Sequence, residues 1–286
     1  MPQSVTTALR TIAKSGNPIV RLGKRMVIGV LQRMDVVAPA RLKNGDVLYV
    51  DLANAVGRTI WVRGDYVTEP AIKTLIETNL EPGDVFFDVG ANVGFFSLVA
   101  ARAVGESGEV HAFEPLPELA ALLRRTAAAN GLNNLHVVEA AVGQGPGTAE
   151  MAVMKDSAYS HLIQGQAEVE SDHGGWRSVS VATVSLDQYR DQKVGRPLRL
   201  MKMDIEGAEL EAIEGARQLL SQPNAPDVIC EVNPDHLARF GHAPKVVFQH
   251  FESMGFAAFD PETGRPMSVE DLSAHRQNVF FKKRRS

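Results

Sequence analysis

From residue 84 onward, short apolar runs alternate with longer amphipathic stretches. The runs fall at 84–88 (DVFFD), 109–113 (EVHAF), 135–139 (LHVVE), 198–204 (LRLMKMD) and 227–232 (DVICEV). Between most of them the spacing predicts helices over about 93–103, 116–130, 206–220 and 234–254. Strands that alternate with helices build a parallel sheet with right-handed crossovers. Helices on both faces let such strands be apolar throughout. Two further runs, near 255–260 and 277–282, are joined by the turn-rich DPETGRP. They predict an antiparallel pair at the sheet edge. The expected fold class is α/β, a three-layer Rossmann-like sheet, mostly parallel.

Upstream the pattern is weaker. Residues 1–45 read as a basic extension with one or two weak helices. Residues 46–83 read as a lead-in packed on the core. Within it, 46–64 alternate and are rich in β-branched residues, which predicts short strands. Residues 68–80 predict a helix with Thr68 as cap and Pro70 in its first turn. The main domain is expected over 84–286. Its rhythm breaks at about 148–184, where strands at 148–154 and 178–184 flank the irregular 155–177 segment. That segment carries Tyr159, Ser160, His161, His173 and Trp176. A long irregular stretch in a compact domain is often functional.

Composition narrows the classes. The chain has 286 residues, 44% hydrophobic and 22% charged, as ordinary globular proteins have. One cysteine, Cys230, excludes an internal disulfide and a zinc-finger site. A reducing compartment fits, and the cytoplasm is the expected location. The net charge of −4 weighs against a nucleic-acid partner. Only the ends are basic: Arg10 to Arg33 without an acid, and the tail KKRRS. Both read as solvated ends, a transit peptide, or a surface for peripheral contact with anionic membrane. No apolar run approaches the ~20 residues of a membrane span.

The candidate chemistry starts in the turn after the first run. DVFFDVGANVGFFSLVA spells D-x-G-x-N-x-G with Asp88, Gly90, Asn92 and Gly94. A dinucleotide fingerprint fails because Asn92 and Phe95 replace two of its three glycines. A P-loop fails because no Gly-Lys-Ser/Thr follows. S-adenosyl-L-methionine suits the turn better. Glycines let the chain pass close beneath it, and helix-start N–H groups receive its carboxylate. Asp88 is placed to meet its ammonium group, directly or through water. Glu114, in HAFEP, lies 20 residues past Gly94, where a ribose-binding acid is expected.

A second constellation is LRLMKMDIEGAELEAIEGA, residues 198–216. Lys202, Asp204 and Glu206 end its strand, and Glu231 and Asn233 end the next. Ligands of open α/β sheets bind at these carboxyl ends. Converging acids raise one another's pKa, as a general base requires, or hold a divalent metal through oxygen. Glu206 and Glu209 also read as helix-start acids that favour the dipole. His161 is a further candidate base.

These pieces, with VSLDQY and ICEVN, resemble the FkbM family of class I S-adenosylmethionine-dependent methyltransferases over about residues 60–260. The resemblance implies a seven-stranded sheet with a reversed last strand. It implies cofactor contacts at Asp88, Gly90, Asn92, Gly94 and Glu114, with Glu139 and Ala141 in the stretch bordering the adenine. It also implies methylation of a hydroxyl on a small molecule, such as a sugar, glycan or natural product. Asp204, Glu206 and Glu231 match its motifs. EVNPD resembles the N-P-P-Y box of amino-group methyltransferases only superficially, since Asp replaces Tyr and the fifth strand precedes it. The alternatives are a cofactor-binding protein without chemistry and an RNA methyltransferase using the basic N-terminus. Metal dependence, oligomeric state and the acceptor itself stay open.

Overall fold

A computed structural model describes residues 36–154, 160–163, 176–272 and 277–284. An antiparallel pair, β1 (Val37–Arg41) and β2 (Val47–Asp51), precedes helices α1 (Ala55–Arg63) and α2 (Pro70–Asn79). Then β3 (Val85–Val89), α3 (Phe95–Val104), β4 (Glu109–Phe113), α4 (Pro117–Ala129) and β5 (Leu135–Val138) alternate. The insertion holds β6 (Ala141–Val142), β7 (Gly147–Met154), β8 (His161–Leu162) and β9 (Trp176–Val184). After α5 (Leu186–Lys193) come β10 (Leu200–Met203), α6 (Glu209–Glu214), α7 (Arg217–Ser221) and β11 (Asp227–Val232). The last elements are α8 (Pro234–Arg239), α9 (Pro244–Ser253), β12 (Phe256–Phe259) and β13 (Gln277–Lys283).

Seven strands form the central sheet in the order β12-β13-β11-β10-β3-β4-β5. β13 runs antiparallel to both neighbours, and the other pairings are parallel. This is the seven-stranded sheet with a reversed last strand that the family resemblance implies. Alternation on β3 shows why it holds. Phe86 packs into one core with α1–α4, while Val85, Phe87 and Val89 pack into a second core with α5–α9. Successive side chains point to opposite faces, so an apolar strand joins two apolar layers. The strand order reverses between β10 and β4, on either side of β3. A crevice therefore opens at the carboxyl ends of β3 and β10.

The structure corrects several local expectations. Residues 37–41 form a strand rather than a helix, and residues 1–35 lie outside the described part. The second half of 46–64 is helix α1, not strand. Asn54 caps it by accepting from the Gly57 N–H, and left-handed Gly64 closes it. Ile60 and Trp61, which read as strand residues, turn inward at helical spacing. Glu69, not Thr68, takes the N-cap position of α2, without a side-chain bond. The expected helix at 206–220 breaks at Gly215, where a Cβ would sit 2.0 Å from the Gly143 carbonyl. The one at 234–254 breaks at left-handed Gly241. Helix α5 was not anticipated, because its sequence is almost wholly polar.

The lead-in strands dock on α3 and α4 through polar ties. Asn130 accepts from the Val47 N–H at 2.9 Å and donates to the Val47 carbonyl at 2.7 Å. Thr126 Oγ1 accepts from the Tyr49 N–H. Arg102 pairs with buried Asp46 at 2.6 Å.

Candidate active site

The crevice is one continuous cleft whose walls include the turn after β3, Glu114, Ala140–Val142, Ser160–Leu162 and the end of β10. The turn is held tightly. Gly90 and Ala91 donate to the Phe113 carbonyl at 3.1 and 3.0 Å. Gly90 has φ +82°, and a Cβ there would lie 1.9 Å from the Asp204 carbonyl oxygen. Only glycine lets the two strand ends approach so closely. Gly94, also left-handed, sits at the N-cap of α3.

Glu114 joins the turn to the second strand. Its Oε2 accepts from the Asn92 N–H and its Oε1 from the Leu116 N–H, both at 2.9 Å. Burial raises its pKa to about 7, against the pull of those two backbone bonds. Asp88 lies behind the cleft wall, fully buried, and accepts from Ser97 Oγ at 2.5 Å. Burial pushes its pKa up, partly offset by Lys202 and Ser97. Asp88 is thus tied to α3 through Oδ2, while its Oδ1 is buried without a hydrogen bond. Glu139 points outward and pairs with Arg124 at 2.8 Å, off the cleft, whereas Ala141 lines it.

At the other end Asp204 and Glu206 line the cleft together with Lys202. Lys202 is buried and donates to Asp204 Oδ2 at 3.1 Å. Burial alone would lower its pKa, but Asp204, Asp88 and Glu69 together hold the ammonium above its usual value. Glu209 is no mere dipole acid. It is buried, and its Oε1 accepts from the N–H groups of Ile205 and Gly207, pinning the turn between β10 and α6. Burial raises its pKa to about 7.

Glu231 does not reach the cleft wall. It is 1% exposed and meets Glu206 through His236, a residue the sequence reading passed over. Burial works against a charged His236, yet the carboxylates of Glu206 and Glu231 raise its pKa to about 9. One signal was available: VNPDH follows a strand at the ligand-binding edge and opens a helix. His161 sits on β8, opposite Ala152, and lines the cleft beside Ser160. Tyr159 and His173 lie outside the described residues. Tyr66 and Glu69, from the lead-in, also line the cleft and were missed. Tyr66 packs its ring at 5.6 and 5.5 Å from Phe95 and Phe96.

Among the described residues, two that are not glycine have left-handed backbones, Asn92 (φ 52°) and Glu206 (φ 59°). Both line the cleft. Such strain costs about 1–3 kcal/mol and collects at functional sites.

Residues 88–258 match the methyltransferase FkbM domain, more than half of the chain. This chain belongs to the FkbM family of class I S-adenosylmethionine-dependent methyltransferases. It is 27% identical to the 31-O-demethyl-FK506 methyltransferase FkbM of Streptomyces tacrolimicus over 222 residues, 70% of this chain and 83% of that one. It is 28% identical to methyltransferase sdnD of Sordaria araneosa over 161 residues, 48% of this chain and 62% of that one. The chain thus spans less than two thirds of sdnD. A SAM-dependent O-methyltransferase from Thermotoga maritima superposes with a TM-score of 0.43 at 14% identity, covering 87% of this chain and 78% of that one. No helix among the described residues is long and apolar enough to cross a membrane.

The cleft of this FkbM-family chain fits S-adenosylmethionine. Its lining brings together the glycine turn, the Glu114 carboxylate held by two backbone N–H groups, and the small residues Ala140 and Ala141.

Proposed function

We propose that this methyltransferase transfers a methyl group to a hydroxyl oxygen of a small molecule, a sugar or glycosylated natural product. One observation carries the reading: a single cleft joins the cofactor turn and Glu114 to the carboxylates of Asp204 and Glu206. When bound, S-adenosylmethionine supplies a methyl on a sulfonium, and in-line attack by the acceptor oxygen forms the O–C bond as the C–S bond breaks.

The chain's own part is orientation and proton removal. An alcohol is a weak nucleophile at neutral pH, so a placed base accelerates attack. Asp204 stands at the strand end and takes the hydroxyl proton, with Lys202 steadying its charge. Glu206 accepts a neighbouring hydroxyl and fixes the acceptor's orientation. His161 faces the same space from the insertion and is the second candidate base. Tyr66, Phe95 and Phe96 give an aromatic wall of the kind that packs against the apolar face of a sugar ring. The name of the Streptomyces relative, with its 31-O position, supports oxygen as the acceptor atom.

The test is incubation with methyl-labelled S-adenosylmethionine and a panel of sugars, glycosylated scaffolds and simple amines, read by mass spectrometry. A labelled methyl ether supports the reading. Label on nitrogen alone would overturn it.

A further inference from the structure

Glu206, Glu231 and His236 come from three places, the end of β10, the end of β11 and the first turn of α8. We infer that they form a binding site for one divalent cation of the Mn2+, Fe2+ or Zn2+ kind. One donor atom from each residue lies within 4.8 Å of the other two. His236 Nδ1 is 2.9 Å from Glu206 Oε2 and 3.6 Å from Glu231 Oε2. Donors about 2.1 Å from one ion stand roughly 3.0 Å apart at right angles and 3.4 Å apart at tetrahedral angles. The two His236 separations bracket those values.

His236 Nδ1 and Glu206 Oε2 form a close charged contact at 2.9 Å, with the ring N–H poorly aligned on the oxygen.

The three donors are also held in place. Glu206 keeps its left-handed backbone beside Gly207, whose φ is +115°. A Cβ on Gly207 would lie 2.5 Å from the His236 carbonyl, so the turn and α8 are in contact. Asn233 caps α8 by accepting from the N–H groups of Asp235 and His236 at 3.0 and 3.4 Å. Two carboxylates with one imidazole suit a borderline cation better than Mg2+. The cation would take the place of the ring proton and neutralise both acids.

A second cluster, Glu109, His111 and His136, has similar spacing, but the donors of Glu109 and His111 are committed. His111 Nδ1 meets the Tyr189 hydroxyl at 2.9 Å and its Nε2 meets Glu109 at 3.3 Å. Arg196 approaches the other Glu109 oxygen at 3.5 Å.

Of the three, Glu206 alone lines the cleft, so the ion adjoins the acceptor space through that residue. That role, holding the acceptor's oxygen, rests on the methyl-transfer reading; the binding itself does not. The full chain is stripped with chelator and titrated with Mn2+, and the free ion is followed by electron paramagnetic resonance. Loss of one equivalent of free signal is expected. His236→Ala and Glu231→Gln, each with an unchanged circular dichroism spectrum, weaken binding at least ~10-fold, and Glu109→Gln does not. The site is overturned if wild-type protein removes no Mn2+, or if binding survives both substitutions or is lost in Glu109→Gln. Neither cofactor nor acceptor is present, so this result is independent of methyl transfer. In a second arm, turnover unchanged by chelator overturns the acceptor-holding role and leaves the site standing.

Discussion

The Asn92 N–H donates to Glu114 Oε2 at 2.9 Å, tying the turn after the first core strand to the end of the second. The bond fixes the carboxylate before any ligand arrives. Burial nevertheless keeps Glu114 near a pKa of about 7, against an ordinary 4.5. A raised folded pKa favours the protonated form. Its contribution to stability is present below about 4.5 and is lost as pH rises through about 7. If Glu114 holds the ribose, as the proposed function requires, the sugar hydroxyls donate to its ionised form and cofactor binding draws the proton off. Affinity for S-adenosylmethionine should therefore rise with pH and level off above neutrality. Calorimetry in buffers of different ionisation enthalpy should show proton release just below pH 7. Glu114→Gln should abolish that release and weaken binding roughly 10- to 100-fold.

Gly90→Ala tests the close approach of the two strand ends. A left-handed backbone and a contact of 1.9 Å with the Asp204 carbonyl leave no room for a methyl group. The expected loss is roughly 3 kcal/mol or more in urea unfolding. Gly143→Ala, where nothing lies within 4 Å of the added Cβ, should change stability little.

Lys202 sits among acids. Lys202→Met leaves the buried Asp88 and the partly buried Asp204 without their shared cation. The expected cost is about 3–5 kcal/mol by chemical denaturation. Adding Asp204→Asn in the same chain should recover part of it, which a simple packing defect would not allow.

On the proposed reading Tyr66 belongs to the acceptor wall, packed on Phe95 and Phe96. Tyr66→Ala should raise the acceptor KM about 3- to 10-fold while leaving cofactor affinity, measured by calorimetry, unchanged.

The lead-in hairpin hangs on Asn130. Asn130→Ala removes both bonds to Val47, and should cost about 1–2 kcal/mol. Hydrogen exchange should quicken first on β1 and β2.

Much of this protein was legible in the chain itself. The five apolar runs became β3, β4, β5, β10 and β11, because a strand covered on both faces must be apolar on both. The antiparallel pair β12 and β13 followed from two runs with only a turn between them, and the family resemblance marked the last strand as the reversed one. Asp88, Gly90, Asn92, Gly94 and Glu114 also stood out, because a strand–turn–helix and the next strand's end lie close in sequence. Local pairing of this kind leaves a local signature.

What the tertiary structure alone decided is which way each group faces. Asp88 and Glu114 both end strands, yet Asp88 turns inward to Ser97 and Glu114 lines the cleft. Glu231 matched a motif but meets Glu206 only through His236. Tyr66 and Glu69 reach the cleft from the link between α1 and α2, which carries no periodic signal of its own. These placements depend on contacts between residues distant in the chain. Spacing along the sequence records periodicity, but it does not record which buried face two remote elements come to share.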